Sequence, residues 1–275
     1  MRSDGGTVPY VLGHSEQELA RLERQSEVFA AATGDVLRNA GLKPGMTVLD
    51  VGCGVGDVAL MAAEMVGPEG TVLGIDRAGQ ALSVARARAE RAGYSWLRFE
   101  EADIFSFAPE RTFDAAIGRF ILMHVADPVG ALKHLTRLLQ PGGTVAFLEM
   151  DIEQAAAVPE LPLLSQCIRW ITTTYRRVGV EPNMGSMLYA AFRAAGLDPR
   201  LAATTRIESG PDAIAYGFAA QTLTSLAPTM EKLGIASAAE IGIDTIAARL
   251  REASLAGDHC LFMPRLVGAW AKKAA

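Results

Sequence analysis

Val48-Leu49-Asp50-Val51-Gly52-Cys53-Gly54-Val55-Gly56-Asp57 is where this chain commits to an architecture. The apolar run Met46–Val51 reads as a buried strand. Three glycines follow at alternate positions, and then a helical pattern, Val58, Leu60, Met61 and Met65. Strand, glycine turn and helix together form a place where a ligand can approach backbone closely. Glycine suits it because it accepts positive φ and carries no Cβ to block the approach. The free N–H groups of the following helix then face the ligand. The spacing departs from the dinucleotide fingerprint G-x-G-x-x-G, whose third glycine would fall at Asp57. A tight strand-to-helix turn with no ligand is the competing reading.

Working outward, Thr71–Asp76 is a second strand ending in an acid. One βαβ unit past the loop, that carboxylate can accept two ribose hydroxyls, with Arg77 beside it; capping of the next helix is the alternative role. Ser95–Glu100 reads as a third strand, followed by Glu101-Ala102-Asp103-Ile104. Phe113–Gly118 reads as a fourth and leads into Arg119-Phe120-Ile121-Leu122-Met123-His124. Asp127-Pro128 opens a helix, as an N-cap and a first-turn proline should. Gln140-Pro141-Gly142-Gly143 then turns into a fifth strand, Thr144–Met150.

Five stretches in one order, VLDVGCGVG, VLGID, EADI, FDAAIG and LLQPGGTVAF, cover residues 46–150. Jointly they resemble the class I S-adenosylmethionine (SAM) methyltransferases of small molecules. These are similar to the quinone-biosynthesis (UbiE-like) enzymes and the natural-product C- and O-methyltransferases. The resemblance implies an α/β fold: a Rossmann-like, seven-stranded, mostly parallel sheet with an antiparallel last strand. It implies SAM held by Asp50, Gly52, Gly54, Gly56, Asp57, Asp76, Arg77 and Arg119. It also implies Asp103 on the adenine amino group and Ile104 packed on the ring.

Composition narrows the class. The chain has 275 residues, half of them hydrophobic, and a net charge of −5. That is enough to bury a large α/β core. No basic run exists, which disfavours nucleic acid. No apolar run spans a bilayer, so no membrane partner is expected. Three scattered cysteines and four dispersed histidines argue against disulfides and a metal site, and fit a reducing cytoplasm. A homodimer is left open.

The flanks are read as additions to one domain over residues 41–275. Residues 1–40 are expected to form a lid: a helix capped by Ser15 and Glu18, preceded by the apolar Tyr10-Val11-Leu12. Tyr10 is placed over the ligand, with a surface staple as the alternative. Cap helices are expected around 155–196 and 210–256, including one helix over Ser237–Ala256. Pro199–Ser209 and Leu261–Lys272 are expected as strands, the latter bulged or at an edge because of Pro264.

Transfer from a sulfonium is an in-line displacement, for which positioning and exclusion of water suffice unless the acceptor must lose a proton. His124 and Glu149 are the candidate bases. An unperturbed imidazole titrates near pH ~6.5, whereas Glu149 would need burial to raise it. Trp170, Tyr175, Tyr189, Phe192, Tyr216 and Phe218, with Met184, Met187 and Met230, suggest an apolar aromatic acceptor pocket. Ordinary core packing is the competing reading. The acceptor is then a small aromatic of quinone or secondary-metabolite type. A nicotinamide-dependent oxidoreductase and a non-methylating SAM-binding protein are the alternatives, since fold does not fix function.

Overall fold

The computed structural model describes residues 16–274, with side chains described from residue 28 onward. Tyr10, the Ser15 cap and the opening segment therefore lie outside the described residues. In chain order the elements are α1 (Glu16–Asn39), β1 (Thr47–Val51), α2 (Asp57–Val66), β2 (Thr71–Asp76) and α3 (Gly79–Ala92). Next come β3 (Leu97–Glu101), β4 (Phe113–Arg119), a single 3-10 turn at Leu122–His124, α4 (Pro128–Leu138) and β5 (Leu139–Asp151). Then follow β6 (Ala156–Val158), α5 (Pro162–Arg177), α6 (Met184–Ala194), β7 (Arg200–Thr204) and β8 (Ile207–Glu208). The chain ends with α7 (Ile214–Lys232), α8 (Ala238–Ile241), α9 (Ile246–Ala256), β9 (Cys260–Phe262) and β10 (Arg265–Lys272).

Seven strands form one sheet in the order β3-β2-β1-β4-β5-β10-β7. The first five pair in parallel, and β10 runs antiparallel to both neighbours. The inner strands β1, β2, β4 and β5 are buried on both faces, which is why they read as continuous apolar runs, while β7 at the edge is exposed throughout. Leu49 and Val51 face one core with Phe113, Phe147 and Leu132, while Val48 faces the other with Val58, Ala62 and Ala63. The small residues of α2 let that helix lie close on the sheet. Its start is set by Gly56, left-handed at φ 87.

Local chemistry agrees with the sequence at several ends. The Asp127 carboxylate accepts the Gly130 N–H at 2.7 Å, and Pro128 opens α4. Ser237 and Glu240 form a capping box at the start of the helix expected from Ser237. The long helix expected after it is broken, because Gly242 turns left-handed (φ 67) and separates α8 from α9.

Both strands expected near the C-terminus are split. Residues 199–209 give β7 to the large sheet and β8 to a second, three-stranded sheet, β6-β9-β8. Leu261–Lys272 breaks at Met263-Pro264, so that β9 joins the small sheet and β10 the large one. Pro264 cannot donate to a ladder, and it falls where the chain changes sheets. The helix α6 belongs to the sheet rather than to a cap, burying Leu188, Ala191 and Phe192 against that core. The last turns of α1 are core as well. Phe29 packs edge-on to Phe120 and Phe218 at 5.2 and 5.7 Å.

Candidate active site

A cavity of about 480 Å³ opens at the carboxyl ends of the parallel strands, where the strand order reverses between β1 and β4. Doubly wound sheets bind ligands at this switch point. Each strand delivers its wall residues in the turn that follows it: Asp50 to Gly54 after β1, Asp76 and Arg77 after β2, Arg119 to His124 after β4.

The glycines divide the labour. Gly54, at φ +52, has open space where a Cβ would point. At Gly52 (φ +63) a Cβ would overlap the Ile121 side chain. Gly56 is absent from the wall. A Cβ there would meet Ala85 and Phe99, and the residue's left-handed φ shapes the turn into α2.

Asp76 lines the cavity and ties two backbone segments together. Its Oδ2 accepts the Gly54 N–H at 2.8 Å and its Oδ1 accepts the Ala78 N–H at 2.9 Å, holding the glycine loop to the start of α3. A carboxylate oxygen that accepts one hydrogen bond can accept another. Asp103 is not on that wall. Its Oδ1 accepts the Phe105 N–H at 2.9 Å and its Oδ2 faces Arg77 at 3.5 Å, while Ala102 and Ile104 line the cavity.

Asp57 is held rather than presented. Arg88 donates to it at 2.6 Å and Arg119 at 3.2 Å. Arg119 also donates to the Thr33 Oγ1 of α1 at 3.1 Å. Burial pulls the Arg119 guanidinium down from its ordinary range, and the Asp57 and Asp50 charges oppose this.

Asp50 is the outlier. It is fully buried on the cavity wall, and neither oxygen has a hydrogen-bond partner among the described residues. Burial raises its pKa well above the carboxylate range; the Arg119 charge works the other way, and Asp76 and Asp57 add to the rise.

His124 lines the cavity and Glu149 does not. Glu149 is fully buried, and its Oε1 accepts the Ile121 N–H at 3.0 Å and the Leu122 N–H at 2.7 Å. Burial pushes its pKa up to about 8, against the pull of the amides at Leu122, Ile121 and Met123. A carboxyl that holds its own proton at neutral pH and stays off the cavity does not fit the expected role of proton acceptor.

From residue 150 onward the wall carries no charged side chain. Tyr175, Tyr216 and Phe218 line it, as read from sequence. Met184, Phe192 and Met230 are core, and Met187 and Tyr189 face solvent. Trp170 packs against the core without reaching the cavity. The Tyr216 hydroxyl donates to the Gly210 carbonyl at 3.0 Å, and the Thr222 hydroxyl to Phe218 at 2.9 Å. Burial pushes the Cys167 thiol up to about 11, so it stays a neutral apolar neighbour. Among the described residues no group of three or more His, Cys, Asp or Glu side chains gathers to hold a metal.

Known proteins match this arrangement. Residues 42–176 fit the family model described as a methyltransferase domain. The 2-phytyl-1,4-naphtoquinone methyltransferase of Thermosynechococcus vestitus is 32% identical over 166 residues, 59% of this chain and 71% of that one. The chain belongs to the class I SAM-dependent methyltransferases. A protein of the same description from Synechococcus elongatus is 40% identical over 128 residues, 45% of this chain and 52% of its own. The chain thus spans about half the length of that second relative. Among solved structures, the YcgJ protein of Bacillus subtilis superposes with a TM-score of 0.61 at 18% identity, covering 90% of this chain and 99% of that one. That likeness shows the fold.

The methyltransferase motifs gave no hint of Thr33 and Arg88, which lie 86 and 31 positions from the partners they hold. They gave none of Leu164, Ile168 and Ile171 on α5 or Leu250 on α9, which wall the apolar side. The sequence signal available there is a helix-like stretch within the cap expected around 155–196, which does not say what its apolar face meets.

Proposed function

We propose that this methyltransferase moves a methyl group from SAM to a neutral, largely apolar aromatic acceptor, on carbon or oxygen, with a quinol as the type acceptor. Asp50 carries the reading. A buried carboxyl with two unpartnered oxygens on a cavity wall calls for a cationic ligand. SAM brings an ammonium and a sulfonium, and the open face of Gly54 and the carboxylate of Asp76 suit its backbone-hugging and ribose groups. Bound there, SAM supplies a methyl group already activated for displacement.

The chain's residues then have separable tasks. Asp50 balances the ligand's positive charge, Asp76 and Gly54 orient it, and Ile104 flanks the ring that Asp103 closes off behind Arg77. Arg119 holds the cavity floor through Asp57 and Thr33. The apolar wall from α5, α7, α9 and β9 excludes water and disfavours charged acceptors, since an unpaired buried charge costs several kcal/mol. If the acceptor is a phenol or an aromatic carbon, His124 takes its proton. The opening segment with Tyr10 is proposed to cover the cofactor side, on a domain running from residue 41. The relatives named for a naphthoquinone support the quinol-like acceptor.

Incubation with methyl-labelled SAM and a panel of phenols, indoles and quinols, each beside a carboxylated counterpart, tests this. Transfer to neutral members alone is the expected result. SAM binding with no transfer to any member would favour a non-methylating protein, and NADH binding in its place an oxidoreductase.

A further inference from the structure

Glu149 was open to reading as a base, yet its carboxyl is aimed at backbone. The chain that leaves β4 must reverse sharply. The Phe120 N–H makes the last link to β5, donating to Leu148 O at 2.9 Å, and Phe120 then takes a left-handed φ of 55. That conformation is unfavourable for a non-glycine residue, so something must hold it. The next two amides, Ile121 and Leu122, both donate to Glu149 Oε1. The turn then closes on itself through His124 N–H to Ile121 O at 3.0 Å and Val125 N–H to Leu122 O at 3.1 Å. It is tied to the following cap by Glu181 N–H to Met123 O at 2.9 Å.

Two cavity residues depend on this turn. Ile121 sits against Gly52, close enough that no Cβ fits between them, and His124 ends the turn on the cavity wall. The turn therefore touches the cofactor loop at one end and the proposed acceptor side at the other.

We propose that Glu149 is the positioning residue of this turn: one carboxyl oxygen, by gathering the Ile121 and Leu122 amides, sets both the seat of Ile121 under the glycine loop and the placement of His124. The role needs an acceptor atom and no charge, and it involves no contact with either substrate. It rests on the methyltransferase reading only for what His124 does, not for where His124 is held.

The test separates the two. Glu149→Gln keeps an acceptor oxygen in place; Glu149→Leu removes it and leaves two buried donors. Binding of S-adenosylhomocysteine is measured by calorimetry. The imidazole resonance of His124 is followed by NMR, assigned by its loss in His124→Gln. With Glu149→Gln, the resonance is expected to stay in place and affinity to hold within about 3-fold. With Glu149→Leu, the resonance is expected to move and affinity to fall on the order of 10-fold, as for one to two lost hydrogen bonds. If Glu149→Leu does not fold, hydrogen exchange of the Ile121 and Leu122 amides in the parent protein decides, with protection close to that of the β5 core expected. Gln as damaging as Leu, Leu without effect, or amides that exchange like an open loop would each overturn the assignment. None of these readouts requires methyl transfer, so a failed acceptor screen leaves them intact.

Discussion

Between residues 50 and 124 the cavity is walled by turns that each leave the end of a parallel strand, whereas from residue 150 onward it is walled by helix faces and a three-stranded sheet. The first wall holds Asp50, Asp57, Asp76, Arg77 and Arg119, while the second holds no Asp, Glu, Lys or Arg. One is polar and held by backbone hydrogen bonds, as at Asp76; the other is apolar and held by packing. A wall that must recognise one invariant ligand is built from atoms whose places the backbone dictates. A wall built from side chains on cap helices can change its acceptor without disturbing the first.

The comparison predicts that damage to one wall stays on that wall. The largest expected effect is at their boundary. His124→Ala should lower turnover on the order of 10²–10⁴-fold with a phenolic or carbon acceptor, with SAM affinity little changed. Turnover within a few-fold of the parent, measured at saturating SAM, would leave catalysis to positioning alone.

Next comes Asp76→Ala. It removes hydrogen bonds to a charged acceptor worth about 1.5–3 kcal/mol, so SAM affinity should fall by about 10- to 150-fold in calorimetry while the acceptor KM holds. The mirror experiment is Leu164→Glu, at a half-buried wall position of α5 that can carry a charge without sinking the fold. The acceptor KM should rise by about 10-fold or more, from lost apolar contact, and SAM affinity should not move. Crossed effects in this pair would dissolve the distinction between the walls.

Smaller effects follow from two of the buried acids, Asp50 and Glu149. Asp50 is held toward its neutral form by burial, so a cationic ligand must draw a proton out of it. SAM affinity should therefore rise with pH, by at most about 10-fold per unit, and Asp50→Asn should flatten the slope as well as weaken binding. Glu149 works in the stability of the fold. Its folded pKa of about 8 lies above the ordinary 4.5, so the folded state binds the extra proton between those values. Its contribution is complete below pH 4.5 and is lost as pH rises through about 8. Thermal melts should show the parent losing stability over that window and Glu149→Gln losing less.

The contrast also explains what the sequence could reveal. Gly52, Gly54 and Asp76 are legible as cavity residues because each sits in local backbone geometry, at spacings imposed by one βαβ unit, whereas the turn expected at Gln140–Gly143 is the start of β5, where its pairing with β4 shifts register. Leu250 and Ile171 reach the same cavity from helices far apart in the chain, and nothing local distinguishes a cavity face from a core face. Glu149 misled for a related reason. Every residue from Gly143 to Asp151 is buried, so no polar alternation shows which way the acid points. The broken helix at Gly242 and the divided strand at residues 200–208 were missed because periodicity runs through both breaks. Only the left-handed Gly242 and the competing small sheet reveal them.

Asp151 and Arg265 face each other at one end of the antiparallel β5–β10 ladder, in register and joined at 2.6 Å, although 114 positions separate them along the chain. Everything between them, including the apolar wall, must be gathered before that pair can meet. Loop-closure entropy grows slowly with length, so the pair costs little in final stability, but contacts this distant in sequence are slow to form. In refolding, strands β1 to β5 are the natural first unit and β10 the late arrival. The acceptor wall is then the last part of the molecule to take shape and, during synthesis, the part most exposed to unwanted association.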